Sequence, residues 1–251
     1  MSIRLIDVQC GFGGAAPGVR DIVSENELLA CMAKIRIERA LVRIIPDKLD
    51  TDVVLSNDKL ITACRAHPEE LIPCPVVLPA SGGDLPAEPD QVDACIRAGA
   101  RAVVIRPAQD AWLPLPWMAD RLFNALQERR LPVLCAERHV SHEQAASLAS
   151  RYPDLPIILA QQGYRSQRIL MALLGAFPNL YLSIGNNYGV HGGIEQFCRA
   201  YGAGRLLFGT EFPQSEPMAA VTCLLYSGVS KEEKEKIGAL NFETLARGIR
   251  A

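Results

Sequence analysis

The chain has 251 residues, of which 49% are apolar and 22% are charged, and its net charge is −2. This length suits one large α/β domain over residues 1–251, which can bury most of the surface of its unfolded chain and does not need stabilising cross-links. No basic tract or aromatic-basic stripe occurs, which excludes nucleic acid as an expected partner. The absence of a long apolar run or a secretion signal argues against a membrane protein.

Eight cysteines occur along the chain, and none of them forms a CxxC pair. In a chain of this size without a secretion signal, this pattern favours reduced, buried thiols over a disulfide framework. We therefore expect a cytoplasmic location.

Short apolar runs alternate with longer amphipathic stretches. The apolar runs are rich in Val, Ile and Leu and are nearly continuous in apolarity, which is typical of parallel strands covered by helices on both faces. They predict eight strands, at Ile3–Val8, Arg39–Ile45, Leu71–Leu78, Ala100–Ile105, Leu131–Ala136, Leu155–Ala160, Asn179–Ile184 and Arg205–Gly209.

The stretches between these runs have the spacing of amphipathic helices. Ser56 and Asn57 are candidate N-cap residues for the second helix, and Gly99 is a candidate C-cap for the third. The predicted helices are Glu25–Arg36, Asp58–Ala66, Pro89–Ala98, Trp117–Arg129, His142–Arg151, Arg168–Phe177, Ile194–Tyr201 and Pro217–Tyr226, followed by Lys231–Leu240 and Phe242–Ile249.

Eight strands that are each followed by a helix predict a closed (β/α)₈ TIM barrel with extra C-terminal helices. An open doubly wound sheet is the alternative. That fold usually carries a glycine-rich phosphate loop after its first strand. Glycines do follow the first strand at 11–14, but no GxGxxG pattern leads into a helix and Pro17 interrupts the segment. The barrel is therefore favoured, with Pro107–Pro116 as a candidate lid loop.

Several segments near the predicted strand ends follow a recognisable order. The first strand continues as Asp7-Val8-Gln9-Cys10-Gly11, and later segments are Tyr152–Gly163, Phe177–Leu182, Leu207–Pro213 and Asn241–Ala246. In order and spacing they resemble the amidohydrolase superfamily, in particular its amidohydrolase-related (amidohydrolase-2) branch. The resemblance extends over nearly the whole chain and implies a barrel of the metal-dependent-hydrolase type.

The resemblance also implies a metal centre made by two histidines on the first strand, one each on the fifth and sixth, and an aspartate on the eighth. The corresponding residues are Gln9, Gly11, Ala136, Gln161 and Glu211. Zinc needs three or four converging N, S or O ligands, so we expect no metal cofactor. A substitute set that holds a hard cation is the alternative, built from Asp7, Glu137, His139, Gln161, His191 and Glu211.

Glu211 is the candidate catalytic residue, because the family uses the aspartate at this position as a general base. Burial at a barrel mouth would raise its pKa towards neutrality, which suits an acid or a base. Alternatively, Glu211 pairs with an arginine and braces the strand ends.

Further polar side chains follow the strand ends and are candidates for substrate binding. Arg106, Arg138 and Arg165, with Arg43 near the end of the second strand, suit carboxylate or phosphate groups, or else pair with nearby acids. The amides of Gln9 and Gln161 would form a neutral floor. After the seventh strand, Asn186, Asn187, Tyr188 and His191 form a polar cluster that either holds a ligand or orients Glu211.

Together these features favour a hydrolase, possibly lactonase-like, that acts on a small anionic molecule without the family's metal centre. A catalytically inactive barrel that serves as a small-molecule binding or structural protein is the first alternative. A divergent metal-dependent hydrolase with rebuilt ligands is the second. The expected partner is a small-molecule ligand, and barrels of this family often form homo-oligomers.

Overall fold

A computed structural model describes residues 3–14, 22–45 and 52–250 of the chain. Pro17, which we expect to interrupt the glycine-rich loop, lies outside these residues. No helix in the described ranges combines the length and the apolarity that a membrane crossing requires.

The strands form two sheets, with the orders β2-β1-β3-β4 and β5-β6-β7-β8-β9. All pairings between neighbours are parallel except that of the short strand β2, which pairs antiparallel with β1. The strands are β1 Ile6–Gly14, β2 Ile22–Val23, β3 Arg39–Ile45, β4 Leu71–Pro73, β5 Val103–Ile105, β6 Val133–Ala136, β7 Ile157–Ala160, β8 Leu180–Ile184 and β9 Leu206–Phe208.

Backbone contacts at both seams join the two sheets into a closed barrel. A parallel bridge links Val76 to Val104, and the Val104 amide donates to the Pro75 carbonyl at 2.9 Å. On the other side, the amide of Glu211, just after β9, donates to the carbonyl of Gln9 on β1 at 2.7 Å. The fold is thus the (β/α)₈ barrel that the alternation predicts, with β2 as an addition at the edge of β1.

The helices surround the barrel in the predicted order. They are α1 Glu25–Ile35, α2 Val53–Ala66, α3 Glu88–Arg97, α4 Pro116–Arg129, α5 His142–Arg151, α6 Gln167–Ala176, α7 Gly193–Tyr201, α8 Pro217–Leu225, α9 Lys231–Glu235 and α10 Asn241–Arg247.

The start of α2 corrects the prediction that Ser56 and Asn57 cap this helix. Its N-cap is Asp52, whose carboxylate accepts the amides of Val54 and Leu55 at 2.9 and 3.1 Å. Asn57 lies inside the helix, and its side chain exchanges two hydrogen bonds with the backbone of residue 76. A strong capping carboxylate five residues upstream therefore determines where the helix begins.

Helices α9 and α10 are joined by one π-helical turn, Lys236–Leu240. Gly238 lies in this turn, and a β-carbon there would be 2.4 Å from the carbonyl oxygen of Arg4. The C-terminal helical segment thus packs directly on the backbone that leads into β1, and this close approach needs a glycine.

Apolar side chains pack in two layers. The inner layer fills the barrel with residues such as Val8, Leu41 and Ile158, and α10 adds Phe242 and Leu245 to it. The outer layer lies between strands and helices. Burial of one such side chain contributes about 1.5–3 kcal/mol. The eight cysteines are unbridged, and burial raises the pKa of Cys64, Cys74, Cys95 and Cys135 to about 12, which makes these thiols unreactive.

Candidate functional site

The candidate site lies at the carboxyl ends of the strands, where Gln161 follows β7 and Glu211 follows β9. Both residues have left-handed backbone conformations, with φ of 54° and 64°. Such a conformation costs a non-glycine residue on the order of 1–3 kcal/mol. At Glu211 it is fixed by the bond to the Gln9 carbonyl and by the amides of Gln214 and Ser215, which donate to the Glu211 carbonyl. The backbone therefore aims Glu211 at the barrel mouth.

The Glu211 carboxyl is buried and tightly enclosed, with only 1% of the residue exposed. The Asn187 side-chain amide donates to its Oε2, and the Ser215 hydroxyl approaches the same oxygen at 3.5 Å. A β-carbon on Gly185 would lie 2.4 Å from Oε1. Within the described part of the chain, Oε1 has no hydrogen-bond partner. One oxygen is thus held by two side chains, while the other lies against Gly185 without a hydrogen bond from the described residues.

Burial raises the pKa of the Glu211 carboxyl above its ordinary value. Hydrogen bonds from Asn187 and Ser215, the nearby polar side chain of Gln9 and the positive charge of Arg43 oppose this rise. Because burial is the largest of these effects, the group holds its proton to a higher pH than an exposed glutamate does. A carboxyl group with a raised pKa is suited to accept and return a proton during a reaction.

We expect Gly185→Ala to destabilise the protein by about 1–3 kcal/mol, because the new methyl group overlaps the Glu211 carboxylate in a packed site. The free energy of unfolding in urea measures the effect. Gly189→Ala is the matched control, since its β-carbon would have its nearest neighbour at 3.9 Å. Equal stability of the two variants would contradict the close contact between Gly185 and Glu211.

The floor of the mouth is polar and neutral. Gln9 and Ser183 are fully buried, and neither the Gln9 amide nor the Ser183 hydroxyl has a hydrogen-bond partner among the described residues. Gly209 opens the space beside them, since a β-carbon there would lie 2.5 Å from the Ser183 Oγ. A buried polar group without a partner costs about 1–3 kcal/mol, so such groups are normally satisfied by water or by a ligand. The floor is therefore suited to a polar ligand atom.

Arginines from three strands on one side of the barrel lie near the mouth. Arg43 lies on β3, Arg106 follows β5 and Arg138 follows β6. Burial lowers the pKa of Arg138, and the charges of Arg43 and Arg106 lower it further. The charges of all three also lower the pKa of His139, so all three guanidinium groups lie near the His139 ring.

Only one of these charges is neutralised inside the described ranges. Arg106 donates from Nε and Nη2 to the two carboxylate oxygens of Asp110 at 3.1 and 2.9 Å, and both side chains are less than 9% exposed. Neither Arg43 nor Arg138 has a carboxylate within ion-pair distance in that part of the chain, and the Arg138 Nε donates to the His139 ring at 3.0 Å. Among the described residues, two guanidinium groups near the mouth are therefore without an ion pair, which favours an anionic ligand.

His139 makes the stability of the protein depend on pH. Burial lowers its pKa to about 4, assisted by the charges of Arg138, Arg106 and Arg43. Between pH 6.5 and pH 4 the unfolded chain binds this proton and the folded protein does not, so stability falls as pH falls through this window. The full shift corresponds to about 3 kcal/mol, and because the ring is partly exposed and screened by solvent we expect about 2 kcal/mol.

We expect His139→Gln to flatten this dependence, because glutamine keeps an acceptor for Arg138 and does not titrate. The measurement is urea denaturation from pH 4 to pH 7. His191→Gln, at an exposed histidine, should keep the wild-type slope. An unchanged slope in His139→Gln would show that other groups cause the pH dependence.

Among the described residues, the other candidates make no hydrogen bond to the Glu211 carboxyl. Arg165 is exposed, donates to the Tyr164 hydroxyl at 3.0 Å and stacks over its ring at 5.5 Å. His191 is exposed and lowers the pKa of Glu195 through its charge. Asn186 is half-buried, and its neighbour Asn187 is the residue that binds Glu211. The Gln161 amide nitrogen donates to Gln214 at 2.6 Å, while the Gln161 oxygen has no partner among the described side chains.

The residues at the family's metal positions do not fit zinc. Gly11 and Ala136 offer no side-chain donor, and amide oxygens such as that of Gln161 are poor zinc ligands. Two acids of the alternative ligand set already accept hydrogen bonds from other groups. Asp7 accepts the Thr210 hydroxyl and the amides of Gln9 and Thr210, while Glu137 accepts from Gly163 and Ser166. No three His, Cys, Asp or Glu side chains in the described ranges converge as a metal site would require.

The amidohydrolase family model matches residues 29–243. No curated protein matches the chain significantly. Among solved structures, an uncharacterised TIM-barrel protein of Bordetella bronchiseptica is 18% identical with a TM-score of 0.75, covering 98% of this chain and 99% of that one. A dihydroxybenzoic acid decarboxylase of Polaromonas, solved with manganese and an inhibitor, is 16% identical with a TM-score of 0.72, covering 100% and 98%.

A probable 2-pyrone-4,6-dicarboxylic acid hydrolase of Acinetobacter baumannii, solved with citric acid, is 12% identical with a TM-score of 0.72, covering 98% and 100% of the two chains. At these identities the likeness extends to the fold over the full length of each protein and not to the activity.

Proposed function

Since the chain belongs to the amidohydrolase family, we propose that it hydrolyses a small carboxylate substrate with a lactone or related ester bond, without the family's metal centre. The observation that carries this proposal is the Glu211 carboxyl. It is buried and has a raised pKa, and one of its oxygens has no partner in the described part of the chain. It occupies the position where the family places its general base.

The charges at the mouth support the choice of a carboxylate. Arg43 and Arg138 lack carboxylate partners within the described ranges, whereas Arg106 is already paired with Asp110. Guanidinium groups bind carboxylates through paired hydrogen bonds. A substrate with one or two carboxylates would thus supply the missing negative charge.

The side chains in place are sufficient for general-base hydrolysis. Glu211 would take a proton from a water molecule as its oxygen bonds to the substrate's carbonyl carbon. When the ester C–O bond then breaks, the same carboxyl returns the proton to the departing oxygen. The amide of Asn187 holds Glu211 in place during both transfers. The arginines orient the substrate and stabilise negative charge that develops on it.

The test is a turnover assay with lactones that carry one or two carboxylates, including 2-pyrone-4,6-dicarboxylate, and with matched neutral lactones. We expect turnover of the carboxylated compounds and at least tenfold lower kcat/KM for the neutral ones, since about 1.4 kcal/mol of lost ion pairing corresponds to tenfold. Equal rates for the two classes would contradict the role of the arginines.

Hydrolysis is expected to be insensitive to metal removal. The donor set at the mouth does not fit zinc, and Arg43 and Arg138, which have no ion pair within the described residues, add positive charge there. Protein purified without an affinity tag should contain much less than one equivalent of zinc or manganese by mass spectrometry. Dialysis against a chelator should leave kcat unchanged. One equivalent of metal together with loss of turnover on chelation would contradict the proposal and favour rebuilt ligands.

A binding protein without turnover is the second candidate, and the neutral floor favours it. Gln9 and Gln161 offer amides where the family has metal-binding histidines, and such groups hold a ligand without activating it. Saturable binding of a dicarboxylate by calorimetry, with no turnover in the lactone assay, would establish this alternative.

A further inference from the structure

A cavity of about 310 Å³ opens at the end of the barrel opposite to Glu211. Its lining includes Ile6, Arg39 and Leu71, which are the first residues of β1, β3 and β4, so the cavity lies at the amino ends of the strands. Ile72 and Phe242 complete an apolar floor. These apolar residues are nearly buried. The cavity is therefore separate from the candidate catalytic site and has an apolar interior.

Three arginines, Arg39, Arg65 and Arg101, also line this cavity. The Nε of Arg39 donates to the carbonyl of Glu69 at 3.0 Å, and the Nη1 of Arg101 donates to the carbonyl of Ala100 at 2.9 Å. These bonds hold two of the guanidinium groups in place and leave part of each free to donate elsewhere. Carbonyl groups carry no net charge, so both arginines keep their positive charge at the cavity.

The acids near the cavity only partly offset these charges. Glu243 lines it, but its carboxylate accepts from Arg4 at 2.9 Å. Arg4 also binds both oxygens of Glu38, whose pKa is lowered mainly by Arg4 and to a lesser degree by Arg39. Arg4 thus offsets one of these two carboxylate charges. The three arginines of the lining outweigh the charge that remains, and the cavity keeps a positive rim around an apolar floor.

We propose that this cavity is a second ligand site, which binds a small organic carboxylate with a compact apolar body. Its volume lies at the lower end of small-molecule sites, which span roughly 300–1,000 Å³. The fixed guanidinium groups reduce the entropy lost when the carboxylate is bound. An aromatic monocarboxylate satisfies both parts of the site, because its ring covers the apolar floor while its carboxylate meets the arginines.

The test is titration with 4-fluorobenzoate, followed by fluorine NMR on the full chain. All measurements use an Arg138→Gln background, which weakens carboxylate binding at the catalytic mouth. We expect saturable binding to this protein. Adding Arg65→Gln or Arg101→Gln should weaken it at least tenfold, since a hydrogen bond to a charged group contributes about 1.5–3 kcal/mol.

Arg65 is exposed on α2, so Arg65→Gln is expected to fold normally even if Arg101→Gln does not. The matched control is Arg168→Gln, which makes the same charge change at an exposed arginine of α6 outside the cavity lining and should bind like the background protein. Equal binding by Arg65→Gln and Arg168→Gln, or no saturable binding at all, would overturn the proposal.

Inorganic phosphate is the competitor that tests the apolar part of the site. We expect it to displace 4-fluorobenzoate at least tenfold less effectively than unlabelled benzoate does. Equally effective displacement by phosphate would overturn the requirement for an apolar body. Because the cavity lies away from Glu211, these outcomes do not depend on whether the chain hydrolyses lactones.

Discussion

Glu211→Gln should lower kcat/KM for the hydrolysed substrate by about 10²–10⁴-fold, the usual contribution of one general acid-base group. The amide has nearly the same shape as the carboxyl and can still accept from Asn187. It cannot take a proton from water. The fold should therefore survive while the proton transfer is lost.

The pH dependence separates this role from a structural one. Because burial raises the pKa of Glu211, wild-type kcat/KM should rise with pH through a value above the ordinary glutamate range, as the active carboxylate forms. The same ionisation is disfavoured by folding, so wild-type stability should fall as pH rises through it. Glu211→Gln should lack both transitions.

A matched variant is Glu137→Gln, which alters another carboxyl after a barrel strand. Glu137 accepts from Gly163 and Ser166 at 3.1 Å and so connects two loops rather than facing a free site. Its replacement should change kcat/KM by less than about tenfold. Undiminished turnover in Glu211→Gln would rule out this residue as the base.

Asp110→Asn should destabilise the protein by about 3–5 kcal/mol, because it leaves the Arg106 guanidinium buried without a counter-charge. Both side chains are less than 9% exposed and share two hydrogen bonds. The measurement is the free energy of unfolding in urea. A control pair with the same four-residue spacing is Lys236 and Glu232, which is exposed. Glu232→Gln should lower the free energy of unfolding far less than Asp110→Asn does, because water screens an exposed pair.

Ligand binding provides a second measurement on Asp110→Asn. The freed guanidinium should bind a carboxylate more tightly, so a saturating dicarboxylate should raise the melting temperature of this variant more than that of the wild type. Equal losses of stability in Asp110→Asn and Glu232→Gln would contradict the buried character of the Arg106 pair.

The barrel could be predicted from the sequence because its strands are nearly continuous apolar runs, and burial on both faces leaves such runs few other structures. Element boundaries were less predictable. The third predicted strand, Leu71–Leu78, pairs regularly only over Leu71–Pro73 and again at Val76. The second helix begins earlier than expected because the Asp52 side chain caps it, and Ser56 lies inside the helix.

The candidate site could be predicted where a motif determines a position and not where side chains from distant segments meet. Gln9 and Glu211 follow from the resemblance and both lie at the mouth. The role of Asn187, as opposed to Asn186, depends on the path of one loop. The charge of Arg43 lowers the pKa of Glu211, and Gly185 leaves space for its carboxyl. Both effects depend on strands that are far apart in sequence.

The contact between Gly185 and Glu211 has a consequence for how this site can change in evolution. A β-carbon at position 185 is excluded by the length of the glutamate, since it would meet the Cγ, Cδ and Oε1 atoms of Glu211 within 3.0 Å. An aspartate is one methylene shorter, so it would remove the 2.4 Å approach of Oε1 and leave its carboxyl carbon at the Cγ position, 3.0 Å away. Positions 185 and 211 are therefore expected to covary among relatives. In a lineage in which residue 211 changes from glutamate to aspartate, we expect Ala or Ser to be accepted at position 185 only after that change.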